Sequence, residues 1–227
     1  MRSKSPFILL LPLFCLILAG AAVSCSTEDY ETGDGKWSYL RAEFADVHSS
    51  EAKKLDYALT DVGDSLRLEP LHDCEWAKTP DSLYRVLLYY KVKPNPSEPV
   101  EAISVSQVLT LGIKKAKDVE KIFTDPVKME SAWVSKNGKY LNMGLFVKTG
   151  VQEGIDAKQT LGLVCDTIMA REDGTRLFCL RLYHDQNGVP EYYSSKLYAS
   201  IPLAYLSKGD NIRLQVETYD GTFIREF

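Results

Sequence analysis

Met129-Glu-Ser-Ala-Trp-Val-Ser-Lys-Asn-Gly-Lys-Tyr-Leu-Asn-Met-Gly-Leu-Phe-Val-Lys148 reads as two strands joined by a turn. Asn137-Gly138 is the signal for that turn, because a type I′ hairpin needs positive φ at both central residues and this pair tolerates it. With those two residues as the loop, facing positions are fixed. Val134 lies opposite Leu141 and Ala132 opposite Met143 on an apolar side, while Trp133 lies opposite Asn142 on the other. A period of two with one apolar face is a half-buried sheet. The same punctuation recurs downstream at Asp173-Gly174, Asn187-Gly188, Gly209-Asp210 and Asp220-Gly221. The runs Gln159 to Met169, Arg176 to Tyr183 and Asn211 to Tyr219 stand between these turns. Strands at this spacing predict a β-sandwich over residues 125–227. Ile201 to Leu206 reads as a short crossover or turn.

Upstream, Leu83-Tyr-Arg-Val-Leu-Leu-Tyr-Tyr-Lys-Val-Lys93 is the strongest strand, closed off by the proline-rich Pro94 to Pro99. Trp37 to Asp46, Leu55 to Thr60, Asp64 to Glu69 and Val100 to Ile113 show shorter apolar alternation. Five strands with no convincing helix suit a small closed barrel over residues 37–120, since closure removes exposed edges. The charged run Lys114 to Lys121 and the Asp125-Pro126 pair predict a border between the halves, with a hinge near Asp118 to Asp125. The lysines of that run admit a reading as an anionic-ligand patch, but mixed charge in a connecting segment is ordinary solvated surface.

The N-terminus carries an address. Arg2 and Lys4 precede an apolar run from Pro6 to Ala22 that is shorter than a membrane span and broken by Pro12. Ala22-Val-Ser-Cys25 resembles a bacterial lipobox, in which the cysteine is acylated and becomes the new N-terminus. Residues 1–24 are thus expected to be a lipoprotein signal peptide, with Cys25 the lipidation site and the membrane a partner through that anchor. Residues 25–36 form an acidic tether, Ser26-Thr-Glu-Asp-Tyr-Glu31 at its start. An acidic tract after the lipidated cysteine resembles the surface-export signal of Bacteroidetes lipoproteins, which implies an outer-membrane lipoprotein of the cell envelope, exposed at the surface.

Setting Arg2 and Lys4 aside leaves 25 basic residues against 31 acidic ones, so no nucleic-acid partner is expected. Catalytic signals are missing. The chain has three histidines, His48, His72 and His184, and the only His-Asp neighbours are His72-Asp73 and His184-Asp185. Adjacent strand residues point to opposite faces, so neither pair is a dyad unless the backbone turns. Nucleophile elbow, phosphate loop and metalloprotease motifs are all absent. Cys74, Cys165 and Cys179 are an odd set; with a two-residue Asp173-Gly174 turn, Cys165 faces Leu182 and Cys179 faces Ile168, on opposite sides of the hairpin. No enzyme activity, cofactor or metal is therefore expected. The favoured contact region is the turn from His184 to Tyr193, which combines His184, Asp185, Tyr192 and Tyr193 in one loop. Thirteen tyrosines, with doublets at Tyr89-Tyr90 and Tyr192-Tyr193, also admit stacking on sugar rings.

The segments Trp133-x₆-Tyr140-Leu-Asn and Tyr183-His-Asp-Gln-Asn-Gly-Val-Pro-Glu191, together with the Cys25 lipobox and the Tyr84 to Val92 strand, resemble the NigD-like lipoproteins of Bacteroidetes. The resemblance implies an all-β chain, an N-terminal OB-type barrel followed by a C-terminal β-sandwich. It also implies a non-enzymatic binding or accessory role, immunity-like because the family name comes from a bacteriocin-associated operon. The competing reading is a glycan-binding accessory lipoprotein of a polysaccharide-uptake system.

Overall fold

Alternation along Val86, Leu88 and Tyr90 sends three nearly inaccessible side chains to one face of their strand and leaves Arg85 and Leu87 on the other. In the computed structural model, which describes residues 39–227, that strand is the fourth of five. They are β1 (Leu40–Glu51), β2 (Lys54–Thr60), β3 (Ser65–Asp73), β4 (Ser82–Lys91) and β5 (Glu101–Gln107), in spatial order β3-β2-β1-β4-β5. Val100 N–H donates to the Arg67 carbonyl at 2.8 Å and Glu69 N–H to the Val100 carbonyl at 2.9 Å, which joins β3 to the start of β5 in parallel. This closes the sheet in OB topology around Ala45, Val47, Leu55, Ala58, Leu68, Val86 and Leu88. The signal segment, Cys25 and the tether lie outside the described residues.

The second half contains β6 (Leu109–Thr110), β7 (Ile113–Lys115), a 3₁₀ turn (Ala116–Asp118), β8 (Lys128–Val134), β9 (Tyr140–Thr149) and β10 (Thr160–Ala170). It continues with β11 (Arg176–Asp185), β12 (Tyr193–Pro202), β13 (Asn211–Thr218) and β14 (Gly221–Glu226). One sheet runs β6-β12-β9-β8 and the other β14-β13-β11-β10-β7. Leu141, Met143, Leu145, Leu163, Leu180, Ile201, Ile212 and Leu214 fill the space between them. The expected strand Val100 to Ile113 is in fact three. β6 pairs with β12 and β7 with β10, both in parallel, so the chain switches sheets and covers part of two edges. These pairings shift the border from the charged run to about Val108, and Leu40 to Phe227 form one compact unit. Ile201 and Pro202 end strand β12 and do not form a crossover.

Two hairpins correct the turn chemistry. The β8–β9 register agrees with expectation, Val134 on Leu141 and Ala132 on Met143. Yet only Gly138 has positive φ, +69°, and Ser135 N–H donates to the Tyr140 carbonyl at 2.8 Å. The loop has four residues, which preserves the register of a two-residue one. Asn137 serves instead as a hook, its N–H donating to the Asp61 carbonyl at 2.8 Å and its amide nitrogen to the Thr60 carbonyl at 3.2 Å. In β10–β11 the loop is one residue longer than expected, and Asp166 bulges out between Cys165 opposite Leu180 and Thr167 opposite Cys179. Cys74, Cys165 and Cys179 are free thiols.

Barrel and sandwich meet on polar ground. From β4, Arg85 donates to both Asp61 carboxylate oxygens at 2.7 and 2.6 Å, to Ser200 Oγ at 3.1 Å and to Asn142 Oδ1 at 3.0 Å. Asn142 Nδ2 donates to Asp61 Oδ2 at 2.9 Å, and Ser200 Oγ donates to Asn142 Oδ1 at 2.7 Å. The guanidinium carbon lies 3.9 Å from the centre of the Tyr140 ring, and Phe44 packs edge-on against Trp133 and Tyr198. Tyr140 OH donates to Asp46 Oδ1 at 3.0 Å. Burial, reinforced by the Asp46 carboxylate, pushes the Tyr140 phenol up to about 12 from its usual 10. A raised pKa in the fold means the neutral phenol is favoured, so this contribution is complete below pH 10 and fades as pH rises through 12. Urea titrations of wild type and Tyr140→Phe should therefore show a wild-type advantage that is constant between about pH 7 and 9 and shrinks above pH 10. An advantage unchanged up to pH 12 would contradict the buried contact with Asp46.

Candidate functional site

His184 is the penultimate residue of β11, paired with Leu161 of β10, and only 1% of its surface is accessible. Its Nδ1 lies 2.8 Å from the Asp125 carbonyl oxygen. Its Nε2 lies 3.0 Å from Gln159 Oε1. The backbone of the same residue accepts from Asp125 N–H and donates to the Phe123 carbonyl, both at 3.0 Å. One residue thus ties the connecting segment, the β9–β10 loop and β11 together.

The next turn is built by side chains bonding to backbone. Asp185 Oδ1 accepts from Asn187 N–H at 2.8 Å, and Val189 N–H donates to the Gln186 carbonyl at 2.9 Å. Asn187 and Gly188 have φ of +47° and +71°, so the type I′ turn falls here. Val189 is buried, which explains an apolar residue after Asn-Gly. Asn187 Nδ2 donates to the Lys158 carbonyl at 3.0 Å, and Gln186 Nε2 to the carbonyls of Lys148 and Val189 at 3.0 and 2.9 Å. Gln186 N–H reaches the Asp125 carboxylate at 2.7 Å.

This framework presents Tyr192 and Tyr193, 65% and 55% exposed, beside Val151 at 85%. Tyr192 lies across Gly150, where a Cβ would come within 2.8 Å of the ring, and its hydroxyl donates to Gln152 Oε1 at 2.7 Å. Ile155 and Tyr219 add further exposed apolar surface, and the Tyr219 phenol is raised by burial and then by Glu191 and Asp125. Of the four residues read from sequence, Tyr192 and Tyr193 reach solvent. His184 does not, because β11 runs on through it and the connecting segment covers it, and Asp185 is used by the turn. Val151 and Ile155 were missed. The signal for them was the pair of aliphatic side chains in the otherwise polar, non-periodic Gly150-Val-Gln-Glu-Gly-Ile-Asp-Ala-Lys-Gln159 loop.

A second histidine cluster was also hidden in sequence. His48 Nδ1 meets Asp56 at 2.7 Å and Nε2 meets Asp81 at 3.1 Å, with the ring stacked on Tyr57. Both carboxylates raise the imidazole, Asp56 first. No hydroxyl or thiol hydrogen-bonds to it among the described residues, and none of these residues form a group of three or more metal ligands.

An OB-type barrel joined through a polar interface to a sandwich with a braced loop end defines a class of two-part all-β proteins. Residues 110–226 match the NigD-like C-terminal beta sandwich domain, and the chain belongs to the NigD-like family. The crystal structure of a NigD-like immunity protein from Bacteroides caccae is 25% identical, with a TM-score of 0.63 over 82% of this chain and 91% of that one. A protein described as toxin-related from Parabacteroides distasonis is 19% identical, with a TM-score of 0.61 over 83% and 92%. A protein described as a lipoprotein from Bacteroides fragilis is 13% identical, with a TM-score of 0.55 over 83% and 96%. The last two show the shared fold alone. No protein of curated function matches the chain.

Replacing His184 by Ala strands the Asp125 carbonyl and the Gln159 amide and should cost about 2–4 kcal/mol in chemical denaturation. Tyr192→Ala and Tyr193→Ala should each stay within about 1 kcal/mol of wild type. The reverse ranking would mean that the tyrosines, not the imidazole, hold the loops.

Proposed function

We propose that this is a non-enzymatic lipoprotein of the outer membrane, anchored through Cys25 and exposed at the cell surface, that captures a protein partner in an immunity-like role. The observation that supports the reading most is the braced loop end. Nine side-chain-to-backbone or backbone hydrogen bonds around His184, Gln186 and Asn187 brace the loop end on which Val151, Tyr192 and Tyr193 stand exposed to solvent. Exposed aromatic and aliphatic side chains on a rigid mount are what a protein interface uses for its anchors, since little conformational entropy is lost on docking. The NigD-like immunity protein of Bacteroides caccae supports the immunity-like role. The Bacteroides fragilis protein described as a lipoprotein supports the envelope location.

A groove favours glycan binding as the second reading. Lys114, Asp118, Glu120, Phe123, Gly162 and Tyr183 line a hollow of about 690 Å³, in which Phe123 and Tyr183 pack edge-to-face at 6.0 Å. Such a hollow offers both a stacking surface and polar groups for sugar hydroxyls.

Cells producing the chain should survive the secreted inhibitors of competing strains better than cells lacking it. The Val151→Ser/Tyr192→Ser double variant should lose at least about tenfold of that protection while keeping its melting temperature. Cys25→Ala should move the protein from the detergent phase to the aqueous phase. Protection that survives the double variant, or tight glycan-array binding lost on Tyr183→Ala, would overturn the first reading in favour of the second.

A further inference from the structure

β7 is three residues long and pairs only with Leu163, Val164 and Cys165 of β10. Past the Asp166 bulge, Thr167 to Ala170 have no strand on that side among the described residues, and all are exposed. Ile168 and Met169 are each 49% accessible. An open edge displays a row of backbone donors and acceptors that another chain can complete. Beside it, between the two sheets, lies a hollow of about 390 Å³ lined by Leu111, Ile113, Cys165, Ile168, Phe178 and Tyr205. The bulge brings this about. With Asp166 left over, Cys165 faces Leu180 and Ile168 faces Phe178, so both point toward the hollow. Thr167 and Met169 take the other face, where Met169 Sδ lies 3.9 Å from Cys179 Sγ.

We propose that this edge takes up an extended segment of a partner protein as an added strand of the β10 sheet, with one apolar side chain in the hollow and acidic residues against Lys114 and Lys115. Unpaired backbone groups beside an apolar hollow select a peptide strand, whose main chain gives affinity while alternate side chains give specificity. Charge sets the sign. Among the described residues Lys114, Lys115, Lys117 and Lys121 make no ion pair, nor do Asp118 and Glu120 of the same segment, whereas Asp166 at the bulge is engaged by Arg181. Four free lysines against two free carboxylates leave this segment net positive, which calls for a negative partner. The edge is separate from the loop end around Tyr192 and belongs to a different part of the sandwich.

The probes are two fluorescein-labelled nonapeptides, Val-Thr-Leu-Thr-Val-Thr-Asp-Glu-Asp and its reversed sequence, titrated into the full chain in detergent and followed by fluorescence anisotropy. One of them should bind saturably, and its alternately N-methylated form, which lacks backbone donors, should not. Lys115→Glu and Ile168→Ser should each weaken binding by about tenfold or more without changing the melting temperature. Amide exchange should slow at Thr167 to Ala170 when the peptide is present. Several results would overturn the proposal: no binding of either peptide up to about 1 mM, equal binding of the N-methylated form, or exchange protection that rises with protein concentration alone.

Discussion

The Arg85–Asp61 ion pair is the constraint on which the arrangement of the molecule depends. The Arg85 side chain is 3% accessible and that of Asp61 13%, so neither charge is compensated by water. A buried guanidinium is tolerable only if each donor finds an acceptor, because an unmatched buried charge costs several kcal/mol. The barrel alone supplies Asp61 and a longer contact to Asp46 at 3.6 Å. The remaining acceptors, Asn142 Oδ1 and Ser200 Oγ, come from the facing strands β9 and β12 of the sandwich. Among the described residues no buried side-chain nitrogen or oxygen is left without a partner. Such a network has one solution, so it fixes which face of the sandwich meets the barrel as well as holding the two together.

His184 plays a corresponding part at the loop end. Both of its ring nitrogens and both of its backbone groups are engaged, and Asp125 passes the constraint on to the Asn187-Gly188 turn. Histidine, carboxylate and amides that look like chemistry in sequence are here spent on shape. The surface that results is apolar and aromatic, borne on loops whose backbone is already bonded.

The strands of both halves were legible in sequence because apolar alternation is local. Val86, Leu88 and Tyr90 announce their face without reference to any other segment, and the Ala132–Met143 register survived even though the turn had four residues where two were expected. Long-range pairing left less trace. Leu109 and Ile113 look like one continuous strand, and only the sheets they join show that the chain crosses between them. Ser194, Ser195 and Lys196 lack apolar alternation, so β12 was invisible until β9 paired with it. The same limit governed the histidines. Sequence neighbours His72-Asp73 and His184-Asp185 form no dyad, Asp73 being held by Lys54, while His48 found Asp56 across a β1–β2 pairing and Asp81 at a loop. Tyr192 and Tyr193 stand out by turn chemistry; Val151 lies in a loop without periodicity, and the Tyr192 ring over Gly150 is what places it beside them.

The central claim is that the buried Arg85 network holds barrel and sandwich as one cooperative unit, and a double-mutant cycle on Arg85→Met and Asn142→Ala in urea denaturation tests it most directly. Removing Arg85 leaves Asp61 buried and unpaired, so a loss of about 3–5 kcal/mol is expected. The cycle should show a coupling of more than about 1 kcal/mol, with tryptophan fluorescence and circular dichroism tracing a single transition in the wild type. A loss below about 1 kcal/mol for Arg85→Met, additive with Asn142→Ala, and separate unfolding of the halves in the wild type would contradict the account.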